Sequence, residues 1–192
     1  MRKPFMVEFT GTPEAGKTTS IGNVLNNLRS MGYKVELLKE SAEKLPREIP
    51  KGTWDANLWM HYQTQAGLLK AKFFEADIVL IDRGLVDSKF YGKKFLWEGV
   101  CTQQEYEKFR QQFLDELFPD FLVALMVPPE IAIQRRGGAG HLVNESYIGR
   151  YNEMFLRYYE EVTCPKELID TSSFSVYEMN QKILSVILSK LP

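Results

Sequence analysis

The fold of this chain is decided by the stretch Gly11-Thr12-Pro13-Glu14-Ala15-Gly16-Lys17-Thr18, which matches the pattern GxxxxGK[ST] at every position. Glycines at both ends of the pattern let the backbone turn so that successive N–H groups point at phosphate oxygens. The stretch directly follows the mostly apolar run Phe5 to Thr10, and apolar residues recur after it at helical spacing. A strand, this loop and a helix in that order predict a binding site for a nucleoside triphosphate.

Each part of the loop has an expected role. Lys17 is predicted to reach the β- and γ-phosphates as a catalytic residue, and the Thr18 hydroxyl is predicted to ligate Mg²⁺. The helix that begins near Lys17 adds the positive end of its dipole. The alternative, a glycine-rich turn without a ligand, does not explain the flanking strand and helix. The residues predicted to contact ATP are Gly11, Thr12, Pro13, Glu14, Ala15, Gly16, Lys17, Thr18 and Thr19.

The rest of the chain alternates short apolar runs with helical periodicity. The runs that predict strands are 5–10, 35–38, 78–81, 121–127 and 168–170. Capping boxes at Thr102–Glu105 and Ser175–Glu178 mark the starts of two helices, the first extending to Leu117. The pattern predicts a single α/β domain over 1–192 with a three-layer P-loop NTPase fold. It has a five-stranded parallel sheet, helices on both faces and a short lid at about 135–144.

Composition limits the partners and the compartment. The 192 residues carry a net charge of −1, which argues against a surface for nucleic-acid polymers or for membranes. No apolar run approaches the roughly 18 residues of a membrane span. The two cysteines, Cys101 and Cys164, have no partner at metal-binding spacing and suit a reducing compartment. We therefore expect a cytoplasmic protein.

The third predicted strand ends in Asp82-Arg83-Gly84, an acid followed by a base. A transporter or remodelling ATPase usually ends this strand in two acids, and the chain also lacks the NKxD and DxxG patterns of a GTPase. We expect Asp82 to hold the magnesium shell and Arg83 to clamp an anionic or hydroxylated acceptor. The order acid-base therefore favours a small-molecule phosphoryl acceptor over a partner protein.

The run Asp82 to Tyr91 and the doubled threonine Thr18-Thr19 resemble the deoxynucleoside kinase and thymidylate kinase group. This resemblance implies transfer of the ATP γ-phosphate to a nucleoside or a nucleoside monophosphate, with Arg83 at the acceptor, and it makes a homodimer an expectation. The segment Lys39-Glu40-Ser41-Ala42-Glu43 departs from the Arg-Glu-Pro-Gly and Glu-Pro patterns of the group and keeps only the acid. A kinase of a non-nucleotide metabolite, or an ATP-binding regulatory NTPase, therefore stays open as an alternative.

The remaining candidates lie around the expected acceptor and lid. Glu40 follows the second strand and could act as a base for a hydroxyl acceptor or orient a monophosphate, although it could also be a solvated acid. Asp87 is either a substrate residue or a helix cap, and Tyr62-Gln63 resembles the aromatic-Gln pair with which deoxynucleoside kinases read the base. Arg135 and Arg136 precede a glycine-rich segment, where either arginine could stabilise the transferring phosphoryl group.

Overall fold

Five parallel strands form one sheet in the computed structural model, which describes residues 3–137 and 144–192. Their spatial order is β2-β3-β1-β4-β5, so β1 lies at the centre. The strands are β1 Phe5–Gly11, β2 Val35–Leu38, β3 Ile78–Asp82, β4 Phe121–Met126 and β5 Lys166–Asp170. The helices are α1 Lys17–Ser30, α2 Trp54–Ala71, α3 Leu85–Trp97, α4 Gln103–Arg110, α5 Pro129–Arg136, α6 Glu145–Glu161 and α7 Val176–Leu188.

Side chains of the central strand alternate between two cores, as the pleat requires. Val7 and Phe9 pack in the core that also contains residues of α1 and α7. Met6 packs on the other face with residues of α2 and β3. The predicted α/β fold, a parallel sheet covered by helices on both faces, is confirmed. Within residues 3–137 and 144–192 no helix is long and apolar enough to cross a membrane.

Several predicted helix boundaries agree with the structure because their signals are local. Both capping boxes form, with the Thr102 and Ser175 side chains accepting from backbone N–H groups and the paired glutamates accepting in return. Asn144 Oδ1 accepts from Tyr147 N at 2.9 Å and starts α6. The predicted lid at about 135–144 falls mostly on residues 138–143, which lie outside the described residues.

Two sequence-based expectations were wrong. The helix that starts after Thr102 ends at Arg110 rather than continuing to Leu117, which instead belongs to a short 3₁₀ turn. The helical spacing of Leu58, Trp59, Tyr62, Ala66, Leu69 and Phe73 predicts a packing face, but Tyr62 and Leu69 on α2 and Phe73 just after it are 50%, 41% and 74% exposed. The buried face of α2 is largely polar, because it borders the site described below. The buried residues of α2 are Ala56, Asn57, His61, Thr64, Gln65, Leu68 and Ala71.

Candidate active site

The phosphate-binding loop begins at the carboxyl end of the central strand with Gly11, where no side chain fits. Gly11 has φ +123°, and a Cβ atom built there would lie 1.9 Å from Leu125 O. The same carbonyl accepts a hydrogen bond from Thr12 N at 2.9 Å. Gly16 then takes φ +85° immediately before α1. These two left-handed positions allow the turn that aims N–H groups into the loop.

Lys17 lies inside this loop. Its Nζ donates to Gly11 O at 3.0 Å and to Thr12 O at 2.7 Å, and the residue is only 8% exposed. Burial, reinforced by the nearby Arg83 guanidinium, lowers the pKa of Lys17 to about 7. A phosphate group in the loop would supply the anionic partner that such a buried ammonium lacks.

Helix α6 supports the loop from outside, through residues that the sequence gave no signal for. Thr12 Oγ1 donates to Asn152 Oδ1 at 2.7 Å, and Asn152 Nδ2 donates to Val127 O at 2.9 Å. The Tyr151 hydroxyl donates to Gly11 O at 3.1 Å. These contacts span roughly 140 positions of sequence separation, so only the folded chain reveals them.

Arg83 follows β3 in the left-handed backbone region, with φ +59°. Its Nη1 donates to both carboxylate oxygens of Asp87, at 3.1 and 3.3 Å, and its Nε lies 3.1 Å from Glu40 Oε1. The contact with Glu40 is an ion pair that is not aligned as a hydrogen bond, and the Nε atom is itself buried. Strain at a non-glycine residue held between two carboxylates is typical of functional sites.

Two neighbouring pockets meet at Glu40 and Arg83. The P-loop pocket, about 340 Å³, is lined by Pro13, Glu14, Gly16, Lys17, Thr18, Thr19, Glu40, Asp82 and Arg83. The α2–α3 pocket, about 220 Å³, is lined by Glu40, Arg83 and Asp87 together with residues of the loop after β2 and of helices α2 and α3. A ligand in either pocket can therefore contact the same carboxylate and the same guanidinium.

The carboxylates at the junction are partly shielded from water. Burial raises the pKa of Glu40 and of Asp82 above the usual range, while the positive charge of Arg83 opposes the shift. The P-loop pocket is lined by hydroxyl and carboxylate oxygens, among them those of Thr18 and Asp82, and oxygen is the ligand type that Mg²⁺ prefers. The part of the chain that the structure describes contains no cluster of three metal-binding side chains. This donor set fits an ion that is bound through phosphates and water rather than by a protein cage.

Asp87 is held from three directions. Besides Arg83, the Thr10 hydroxyl donates to Asp87 Oδ1. The backbone N–H groups of Val86 and Asp87 in turn donate to the fully buried carboxyl group of Glu8, at 3.1 and 2.8 Å. Glu8 therefore caps the N-terminus of α3 from the neighbouring strand. Its one sequence signal was an acid in an otherwise buried strand.

Of the other predicted site residues, one lies beside the P-loop and two are exposed away from both pockets. Arg135 donates to Thr171 Oγ1 and Thr171 O at 2.8 and 2.7 Å, and to Glu14 O at 3.4 Å, which places it beside the P-loop. Arg136 is exposed at the end of α5. Gln63 is also exposed and is not among the residues that line the α2–α3 pocket. Asn57 and Ser88, which sequence reasoning missed, line that pocket instead.

The loop and the parallel sheet define a P-loop nucleotide-binding protein. No protein-family model matches the chain. It is 28% identical over 166 residues to a thymidylate kinase of Caldanaerobacter subterraneus subsp. tengcongensis, covering 77% of this chain and 76% of that relative. Two solved structures of deoxyadenosine kinase from M. mycoides, with bound dCTP and with bound dATP, each match with a TM-score of 0.73 and 21% identity. Each match covers 96% of this chain and 100% of the other. The chain is therefore similar in sequence to a thymidylate kinase and in fold to deoxyadenosine kinases.

Proposed function

We propose that this protein transfers the γ-phosphate of ATP, bound with Mg²⁺, to a nucleoside or a nucleoside monophosphate. The observation that carries the proposal is that Glu40 and Arg83 line both pockets. One pocket has the phosphate-binding loop, and the other is a partly open space of the size expected for part of a small ligand. Two substrates bound side by side would meet at these two residues.

On the donor side, Lys17 and the loop N–H groups would bind the β- and γ-phosphates. Thr18 and Asp82 would hold the magnesium ion, directly or through its water shell. Arg135, already beside the P-loop, is the better placed of the two predicted lid arginines. The group relationship supports ATP as the donor.

In the transfer step, an acceptor oxygen attacks the γ-phosphorus while the bond from that phosphorus to the β–γ bridging oxygen breaks, and ADP leaves. Lys17 and the guanidinium of Arg83 stabilise the charge on the transferring group. With a hydroxyl acceptor, its proton passes to Glu40, whose pKa is raised by burial, which makes the carboxylate a stronger base. A monophosphate acceptor is already ionised, and Glu40 would then only orient Arg83.

The charges at the junction favour a hydroxyl acceptor. Both carboxylates in contact with Arg83, those of Glu40 and Asp87, line the α2–α3 pocket. A monophosphate would bring two further negative charges against these two carboxylates. A neutral nucleoside hydroxyl avoids this repulsion and uses Glu40 as it stands.

A kinase of another metabolite, or a regulatory NTPase, is less well supported. A regulatory module that only hydrolyses ATP has no use for a second pocket lined by Glu40 and Arg83. We also propose a cytoplasmic protein that binds no nucleic-acid polymer, in line with its charge balance. The exposed apolar side chains of Tyr62 and Leu69 on α2, and of Phe73 just after it, support a homodimer.

The test is ATP consumption across a panel of nucleosides, nucleoside monophosphates and small hydroxylated metabolites. A nucleoside should raise turnover well above bare hydrolysis. Lys17→Ala should lower that turnover by at least about a thousandfold, whereas Lys182→Ala, which removes a half-exposed lysine on α7, should leave it unchanged. The proposal fails if no nucleoside or monophosphate stimulates ATP consumption.

A further inference from the structure

The α2–α3 pocket carries polar groups that the transfer step does not use. Asn57 and Ser88 both line it, on α2 and α3. Asn57 is 2% exposed, and its Nδ2 has no hydrogen-bond partner in the part of the chain that the structure describes. A buried amide left unpaired is costly, and in native proteins such groups are rarely left without a partner. A polar ligand atom that reaches this amide would give it a partner.

The direction of the Ser88 hydrogen bond is fixed by a chain of contacts behind the pocket. Leu114 N donates to Gln65 Oε1 at 3.1 Å, and Gln65 Nε2 donates to Gln112 O at 3.0 Å. A backbone N–H can only donate and a carbonyl can only accept, so these two groups set the orientation of the Gln65 amide. Its second N–H then donates to His61 Nε2, 2.9 Å away.

The tautomer of His61 sets the direction of its hydrogen bond with Ser88. The histidine is fully buried, and burial lowers its pKa to about 4, so the ring is neutral near pH 7. A neutral ring that accepts at Nε2 carries its proton on Nδ1, which lies 3.0 Å from Ser88 Oγ. Ser88 Oγ therefore accepts from His61. Its own O–H is left to donate towards the pocket.

We infer that this pocket recognises a carbonyl oxygen on the base of the acceptor, to which Ser88 and Asn57 donate hydrogen bonds. His61 and Gln65 are positioning residues that keep the Ser88 hydroxyl a donor. The inference rests on the proposed function and specifies its substrate class as bases with an oxo group at this edge. An amino group at the same place would point its N–H groups at the Ser88 O–H and Asn57 N–H donors, which is the kind of mismatch that binding sites reject.

The test compares bases that differ by oxo for amino. Values of kcat/KM are measured at saturating ATP for deoxyuridine against deoxycytidine and for deoxyinosine against deoxyadenosine, with the monophosphates run in parallel. The oxo member of each pair should be preferred by at least about tenfold. Ser88→Ala should reduce this preference severalfold, mainly through KM of the oxo substrate. Ser185→Ala, an exposed helical serine on α7, should not change it.

Three outcomes overturn the inference: an amino preference in the native protein, no preference, or a preference that Ser88→Ala leaves intact. Turnover without an oxo preference leaves the proposed function standing. Absence of turnover with every base defeats the function and the inference together.

A second measurement does not depend on turnover. The chain has two histidines, so ¹⁵N-histidine NMR, assigned with a His61→Asn variant, can identify the His61 tautomer. A proton on Nδ1 at pH 7 supports the chain of contacts, and a proton on Nε2 refutes it.

Discussion

Replacing Glu8 with Gln should change how the stability of the protein depends on pH. Glu8 lies in the central strand and is 0% exposed. Burial raises the pKa of its carboxyl group from 4.5 to about 8, although two backbone N–H groups at the start of α3 favour the ionised form. The structure thus sets desolvation against hydrogen bonding, and the pKa indicates that desolvation is the larger effect.

The direction of the effect follows from proton binding. Between pH 4.5 and about 8 the folded state holds a proton on Glu8 that the unfolded state has lost. The contribution of the Glu8 carboxyl group to the free energy of unfolding is therefore complete below pH 4.5 and decreases as the pH rises towards 8. At roughly 1.4 kcal/mol per unit, the shift corresponds to about 5 kcal/mol over this window. That is a large share of a typical unfolding free energy of about 5–15 kcal/mol.

The assay is urea unfolding of the native protein and of Glu8→Gln at each pH unit from 5 to 8. At pH 5 the variant should be less stable by about 1–3 kcal/mol, because its amide NH₂ faces a backbone donor. Its stability relative to the native protein should then rise by several kcal/mol up to pH 8. Glu36→Gln, at an exposed position on β2, is the control and should show a constant difference. A constant difference for Glu8→Gln too would mean that Glu8 is ionised throughout, and would refute the reasoning.

Two further predictions concern the loop and the exposed face of α2. Gly11→Ala should destabilise the protein by about 3 kcal/mol or more in urea unfolding, because its Cβ would collide with Leu125 O. The control is Gly22→Ala in α1, where a Cβ meets nothing within 4 Å, and it should not destabilise the protein. Equal losses of stability in the two variants would contradict this prediction. If the homodimer uses α2, Leu69→Glu should shift sedimentation at micromolar concentration towards the monomer, and a native protein that sediments as a monomer would end that proposal.

The fold and the phosphate-binding loop could be predicted from the sequence because their signals are local. The P-loop pattern needs only one strand, one turn and one helix in order. Glu40 and Arg83 could be expected to meet because parallel strands end at the same edge of the sheet. Their ion pair at 3.1 Å agrees with that expectation. The catalytic roles of both residues remain predictions.

The acceptor half was harder to predict, because the helical periodicity of a sequence is read from its apolar residues and does not reveal a polar buried face. The buried face of α2 is largely polar, because Asn57 lines the pocket and His61 and Gln65 lie buried behind it. Leu69 on α2 and Phe73 just after it are exposed, so the apolar pattern indicated the wrong face. Gln63, which was predicted from a resemblance to deoxynucleoside kinases, lies on the exposed face of α2. Only the folded contacts between α2, α3 and the segment after α4 show which amides lie near a ligand.

The polar residues of the central strand explain how the two halves of the site are held in register. Glu8 and Thr10 point to the same side of β1, since strand residues alternate. Glu8 accepts from the N–H of Asp87, and the Thr10 hydroxyl donates to its carboxylate. Asp87 in turn holds Arg83. The strand that ends in the phosphate-binding loop therefore also positions the arginine of the second pocket. Burying the polar side chains of Glu8 and Thr10 in the sheet costs free energy. In return, their contacts fix the distance between the phosphate-binding loop and Arg83.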